Sequence, residues 1–189
     1  EPLPPEDHDA YRKLRAEGIV PLASGEHEQS EESFQDLIRT GCVEYVQADL
    51  ICQGGYPLAQ RLFASLAPEG LRFACHSWGN DLEVMAAAHL GICWEENPIE
   101  WLEYPCYSNN GRPGMYPFPL AQEILKEPLE IADGYLRVSD KPGFGVDVDE
   151  SVIGRYRWIP GPWSEFRLES PPETLAVTGD HSIRWVEKG

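Results

Sequence analysis

The stretch Gly18-Ile19-Val20-Pro21-Leu22-Ala23-Ser24-Gly25-Glu26-His27-Glu28 reads as an apolar strand running out into an acidic turn. A carboxylate at the end of a buried strand suits a hard divalent cation such as Mg²⁺, because carboxylate oxygens match its preference and the strand is a rigid platform. Glu26 is therefore the first candidate metal ligand. A Gly-Glu-His tripeptide is also an ordinary loop start, so the flanking sequence has to decide between the two readings.

On the N-terminal side, Pro4-Pro5-Glu6-Asp7-His8-Asp9 has the acidic, proline-marked character of a helix entry. Tyr11, Leu14 and Arg15 continue at helical spacing until Gly18. On the C-terminal side, Ser30-Glu31-Glu32-Ser33 opens a second helix with Phe34, Leu37 and Ile38 on one face, closed by Gly41. Val43 to Leu50 reads as a strand, Gly54-Gly55 as a turn, and Pro57 to Ala67 as a third helix. Leu71 to His76 is strand-like again, Leu82 to Leu90 is an apolar helix, and Ile99 to Glu103 is a final short strand. Strands and helices alternating every ~25 residues indicate βα crossovers, hence a parallel sheet or a (β/α) barrel.

The 189 residues are 42% hydrophobic, enough for one sizeable core. No run approaches the roughly 18 apolar residues of a membrane span, and no basic-then-apolar leader opens the sequence. With 32 acidic against 15 basic residues, the formal charge of -17 repels phosphate backbones and argues against nucleic acid as a partner. The 5 cysteines are odd in number and form no Cys-x-x-Cys pair, so neither a disulfide framework nor a structural zinc site is indicated. A reduced, cytoplasmic protein without membrane contact is expected. The opening Glu1-Pro2-Leu3-Pro4-Pro5 reads as the loop leaving a strand, and so as part of a longer chain.

Four ionisable residues share one kind of address. Glu26, Asp49, His76 and Glu103 each fall at the end of an expected strand, separated by 23, 27 and 27 residues, about one βα unit each. In a barrel such strand ends converge on one face, whereas an open sheet spreads them along an edge. The barrel is the better account. Each position also has a plainer reading: His76 as a structural histidine, Asp49 as a helix cap, Glu103 as a surface residue, and Gly54-Gly55 as a turn with no Walker-type Lys after it. His89, in an apolar helix, reads as structural. Glu28, Glu31 and Glu32 read as a solvated helix start. Strand alternation turns Cys75 away from His76, against a Cys-His nucleophile pair.

Gly25-Glu26-His27, Gln47-Ala48-Asp49 with Gly54-Gly55, Cys75-His76-Ser77 and Leu102-Glu103-Tyr104-Pro105 together resemble the last four barrel strands of the enolase superfamily, in its mandelate racemase and acid-sugar dehydratase subgroup. Asp133-Gly134-Tyr135 to Asp149 is similar to that family's C-terminal segment. The resemblance implies an α/β fold: the C-terminal half of a modified TIM-type (β/α)₇β barrel plus a C-terminal segment returning to a capping domain. It divides the chain into residues 1–105 as the second half of the barrel, 106–157 as a segment packing on barrel and capping domain, and 158–189 as a tail of unassigned role that could pack across a subunit boundary.

It further implies one Mg²⁺ held by three carboxylates, with Glu26 the third. Glu1 corresponds to the second Glu of the family's Glu-Glu-Pro stretch, whose first Glu is the ligand, and so is not itself a ligand. The other ligands, a Lys-x-Lys base strand and most of the capping domain lie upstream. By the same resemblance His76 is the acid/base, Asp49 supports its ring, and Glu103, if kept protonated, donates to a substrate carboxylate. His27 and Trp78, adjacent to the strand ends, are candidates for substrate contacts.

The function so implied is a Mg²⁺-dependent lyase that removes the proton α to a carboxylate and dehydrates an aldonate or aldarate through an enediolate. A racemase or cycloisomerase of the same superfamily, an inactive truncated fragment and a metal-dependent barrel hydrolase are the alternatives. The expected partners are a small sugar acid, the N-terminal half of the barrel with its capping domain and, at full length, further copies of the protein. Residues 1–189 alone are expected to be inactive and to bind Mg²⁺ poorly.

Overall fold

A computed structural model describes residues 1–93, 98–104, 121, 123–155 and the backbone of 165–166, 173–177 and 183–187. These fall into two units, residues 1–79 with 83–104, and residues 80–82 with 105–189.

The first unit alternates as expected. Helices α1 (His8–Ala16), α2 (Glu31–Thr40), α3 (Gly55–Leu66) and α4 (Asp81–Ile92) interleave with strands β1 (Ala23–Ser24), β2 (Tyr45–Asp49), β3 (Arg72–His76) and β4 (Ile99–Leu102). The strands form one sheet in the order β1-β2-β3-β4, every pair parallel. Local chemistry sets the helix ends. Asp7 accepts from the Ala10 amide at the start of α1, and Ser30 and Ser33 exchange side-chain and backbone hydrogen bonds at the start of α2. Gly41 ends α2 in the left-handed region, φ 57°, where a residue without Cβ carries no steric penalty.

Phe34, Leu37 and Ile38 of α2 and Leu62, Phe63 and Leu66 of α3 are buried in one core with Val46 of β2 and Phe73 of β3. The Phe63 and Phe73 rings meet edge to face, centroids 5.0 Å apart. Glu44 holds the approach to β2: its carboxylate accepts from Arg15 Nε and from the Leu22 amide, each at 2.7 Å.

The first strand is shorter than its composition suggests. Only Ala23 and Ser24 pair with β2, while Ile19 and Val20 are 78% and 62% exposed. Pro21 offers no N–H to a ladder, and pairing begins only beyond it. Glu26 consequently lies in a turn two residues past β1 rather than at a strand end. Asp49 and His76 are the last residues of β2 and β3, and Glu103 follows β4 directly.

In the second unit, β5 (Ile131–Ala132) and β6 (Tyr135–Leu136) form an antiparallel hairpin. Its two loop residues, Asp133 and Gly134, both have positive φ, 54° and 79°, the requirement of a tight hairpin turn and the reason an Asp-Gly pair stands there. A bridge between Leu125 and Val148 leads to α5 (Glu150–Arg155), whose Val152 is buried along with Ile124 and Leu125. Part of the C-terminal tail is folded: β7 (Glu165–Phe166), β8 (Glu173–Val177) and β9 (Ile183–Glu187) make an antiparallel sheet in sequence order. Residues 158–164 lie outside the described residues, as do Pro105 and Cys106. Among the described residues no helix is long and apolar enough to cross a membrane.

Candidate functional site

The parallel register of β2 and β3 makes Asp49 and His76 direct neighbours across the ladder. His76 Nδ1 lies 3.1 Å from Asp49 Oδ2, while Asp49 Oδ1 accepts from the amides of Ile51 and Cys52 at 2.7 and 2.8 Å. The chain turns immediately after β2, and that turn aims both amides at the carboxylate. Burial works to raise the pKa of Asp49, but the Cys52 amide, His76 and the Ile51 amide outweigh it and hold the carboxyl below its usual range. Asp49 is thus a fixed negative charge behind one ring nitrogen. The other nitrogen, Nε2, faces Glu26 Oε2 at 3.1 Å. A ring between two acceptors donates to both only when doubly protonated, so this arrangement suits a histidine that takes up and releases a proton at Nε2.

Glu26 reaches that position on a loop locked from two sides. Gly25 has φ 138°, and a Cβ there would stand 2.5 Å from the Gln47 carbonyl oxygen, so only glycine lets the loop lie this close to β2. Gln53 then ties the loop to the end of β2. Its Nε2 is shared among the carbonyls of Gly25, Glu26 and Glu28 at 3.0, 2.9 and 2.5 Å, and its Oε1 accepts from the Asp49 amide at 2.7 Å.

Beside the loop, oxygens of Glu1 and Glu26 and a ring nitrogen of His27 lie within 4.8 Å of one another. Such oxygens suit Mg²⁺. Glu1, however, already accepts from Ser24 Oγ (2.7 Å) and the Gly25 amide (3.1 Å) through Oε1, and from His27 Nδ1 (2.6 Å) through Oε2. Burial raises the pKa of Glu1, but these three donors prevail and keep it below the usual range. Glu26 has fewer competing contacts, to His76 and, at 3.8 Å, to His27. The donor set fits part of a Mg²⁺ shell.

Glu103 is held at the same strand ends by different partners. One oxygen accepts from Gln47 Nε2 and the other from the Ser77 amide at 3.0 Å. Each oxygen keeps a further lone pair free for another contact. His27 is largely exposed and sits on the Glu1 side of Glu26, and Trp78, two residues beyond β3, is 45% exposed. Cys75 is fully buried in the core, and burial above all pushes its thiol up to about 12, so it is no nucleophile for His76.

The structure thus joins Glu26, His76 and Asp49 directly and brings Glu103 in through Ser77. Sequence reasoning misses Gln53, Gln47 and, most of all, Glu83. This α4 carboxyl is 3% exposed and lies against Asp49 and the Gly79 amide. Burial first, then the charge of Asp49, pushes its pKa up to about 7. One sign of it is visible in the sequence, a lone acid in the apolar run Leu82-Glu83-Val84-Met85-Ala86-Ala87-Ala88.

The chain as a whole is similar to known proteins. Over 167 residues the chain is 29% identical to D-galactarolactone cycloisomerase of Agrobacterium fabrum, covering 86% of this chain and 42% of that protein. It is 28% identical over 158 residues to a D-mannonate dehydratase of Sphingomonas sp., covering 82% and 36%. The chain spans less than half the length of these curated relatives. Among solved structures it is similar to L-talarate dehydratase from Polaromonas sp. complexed with Mg and L-glucarate, with TM-score 0.63, 25% identity, and coverage of 82% of this chain and 38% of that one. The family model described as enolase C-terminal domain-like matches residues 1–152, and the chain belongs to that family.

Proposed function

We propose that this chain supplies the acid/base half of an active site that removes the proton α to a substrate carboxylate and dehydrates an acid sugar. The observation that carries this reading is His76 held at Nδ1 by a charged Asp49, with Nε2 turned to Glu26. In the proposed reaction neutral His76 takes the α-proton at Nε2, and the electron pair moves into the substrate carboxylate. Asp49 stabilises the imidazolium so formed. The same imidazolium returns its proton to the departing β-hydroxyl, which leaves as water. Positioned acid/base groups of this kind contribute about 10²- to 10⁴-fold.

Mg²⁺, which Glu26 would hold with ligands from elsewhere in the full-length protein, supplies positive charge where the substrate carboxylate accumulates negative charge. Glu103 approaches the same carboxylate from β4, and His27 and Trp78 contact the sugar. The full-length protein is a cytoplasmic homo-oligomer.

A cycloisomerase is the second reading, favoured by the likeness to D-galactarolactone cycloisomerase. It shares the first proton transfer and differs in what leaves the β-position. Incubating the full-length protein with aldonic acids, aldaric acids and their lactones decides the matter. 2-Keto-3-deoxy products support dehydration of the free acid, the same product from lactones alone supports cycloisomerisation, and solvent deuterium at the α-carbon without loss of water supports racemisation. Failure to exchange or convert any of them refutes enolate chemistry at this site.

A further inference from the structure

Glu83 is the third residue of α4, and a glutamate there commonly reaches back to an amide before the helix. Its contact with the Gly79 amide has that form, but the same carboxyl also reaches Asp49, which the capping reading leaves unexplained. Asp49 is already crowded with donors: the Ile51 and Cys52 amides on Oδ1 and His76 Nδ1 on Oδ2. Two buried carboxyl groups share a hydrogen bond only if one of them carries the proton. Asp49 has the donors that favour charge, so the proton belongs to Glu83. Its remaining oxygen accepts from Gly79.

The fit is close. A Cβ at position 79 would stand 1.8 Å from Glu83 Oε2, so the carboxyl occupies space that only a glycine leaves. We propose that Glu83 is a positioning residue, a buried acid that donates a hydrogen bond to Asp49 and so fixes the carboxylate that orients the His76 ring. The ionisable groups facing it are Asp49 at the end of β2, His76 at the end of β3, and the thiols of Cys52 and Cys75. Its pKa near 7 agrees with a neutral acid in the lower half of the physiological range.

The inference deepens the proposed proton-transfer role of His76, and its kinetic consequence rests on that role. Its geometry does not, and can be tested without turnover. In the full-length protein, the infrared difference between wild type and Glu83→Gln near pH 6 should show a protonated-carboxyl band that the variant lacks, fading with a midpoint within about one unit of 7. Ring ¹⁵N spectra of His76 should show one tautomer in wild type and Glu83→Gln, whose amide still donates. In Glu83→Ala, and in Gly79→Ala, which displaces the carboxyl without altering it, the tautomers should be mixed. kcat should fall about 10- to 100-fold in Glu83→Ala, with KM little changed and partial recovery in Glu83→Gln.

Absence of the band, or a His76 ring indifferent to both alanine variants, overturns the proposal. Should Glu83→Ala not fold, Gly79→Ala and the infrared band decide it. A full-length protein without isomerase or dehydratase activity refutes the proposed function, while the spectra still settle the role of Glu83.

Discussion

Replacing Glu83 with Gln should stabilise the protein at high pH and not at low pH. The carboxyl moves from an ordinary value of 4.5 to about 7 on folding, because it is buried and faces the charge of Asp49. A raised acid binds its proton more tightly in the native state. Its contribution is therefore fully present below pH 4.5 and is lost as pH rises through about 7. The shift corresponds to about 3 kcal/mol of lost stability once both states are ionised, at 1.36 kcal/mol per unit. An amide keeps the shape and a donor but cannot ionise. The stability of Glu83→Gln relative to wild type should thus grow by about 2–3 kcal/mol between pH 5 and pH 9. Urea unfolding of both full-length proteins across that range, compared as a difference at each pH, measures it directly. A difference constant to within about 0.5 kcal/mol, or one that shrinks as pH rises, would refute the assignment of a buried neutral acid at this position.

Asp49→Asn tests the other member of the pair. The carboxyl of Asp49 lies below its usual value when folded, so its stabilisation is present above the unfolded value and is lost as pH falls through the folded one; the variant should flatten the acid limb of stability, as read by unfolding midpoints below about pH 5. In the full-length enzyme the same change should lower kcat by about 10²- to 10⁴-fold, since an amide neither supports the imidazolium nor fixes the tautomer; a loss below tenfold counts against the pairing. Gly25→Ala should cost about 2–4 kcal/mol, because its Cβ meets the Gln47 carbonyl at 2.5 Å and φ 138° is strained for alanine; near-wild-type denaturant unfolding would show that the loop can move away. Residues 1–189 by themselves should bind Mg²⁺ more weakly than about millimolar by titration calorimetry, because Glu26 is the one carboxylate of its group not already held by three donors.

The fold is legible where period and punctuation agree. Phe34, Leu37 and Ile38 fall at i, i+3 and i+4 between a Ser cap and a Gly stop, and all three are buried. The first strand is misread because hydrophobicity predicts burial but not pairing: Ile19-Val20 is apolar, yet Pro21 stands between it and the ladder. The C-terminal sheet escapes notice for a related reason. Segments such as Glu173–Val177 and Ile183–Glu187 are no shorter than β2 or β3 but have no alternating helices to punctuate them, and a strand is defined by a partner that local composition does not name.

The same distinction governs the site. Strand ends one βα unit apart are arithmetic, and parallel register turns that arithmetic into contact, as with Asp49 and His76. Side chains that reach back from a helix obey no such count. Helical Cβ atoms tilt toward the N-terminus, so Glu83, third in α4, is carried back over Gly79 toward the end of a strand 34 positions earlier in the chain. Burying an acid is unfavourable unless a partner receives it. A lone acid in the apolar run from Leu82 to Ala88 therefore already points to a partner. The structure supplies its identity, and because that partner is the carboxylate behind His76, the unfavourable burial falls where it can tune proton transfer.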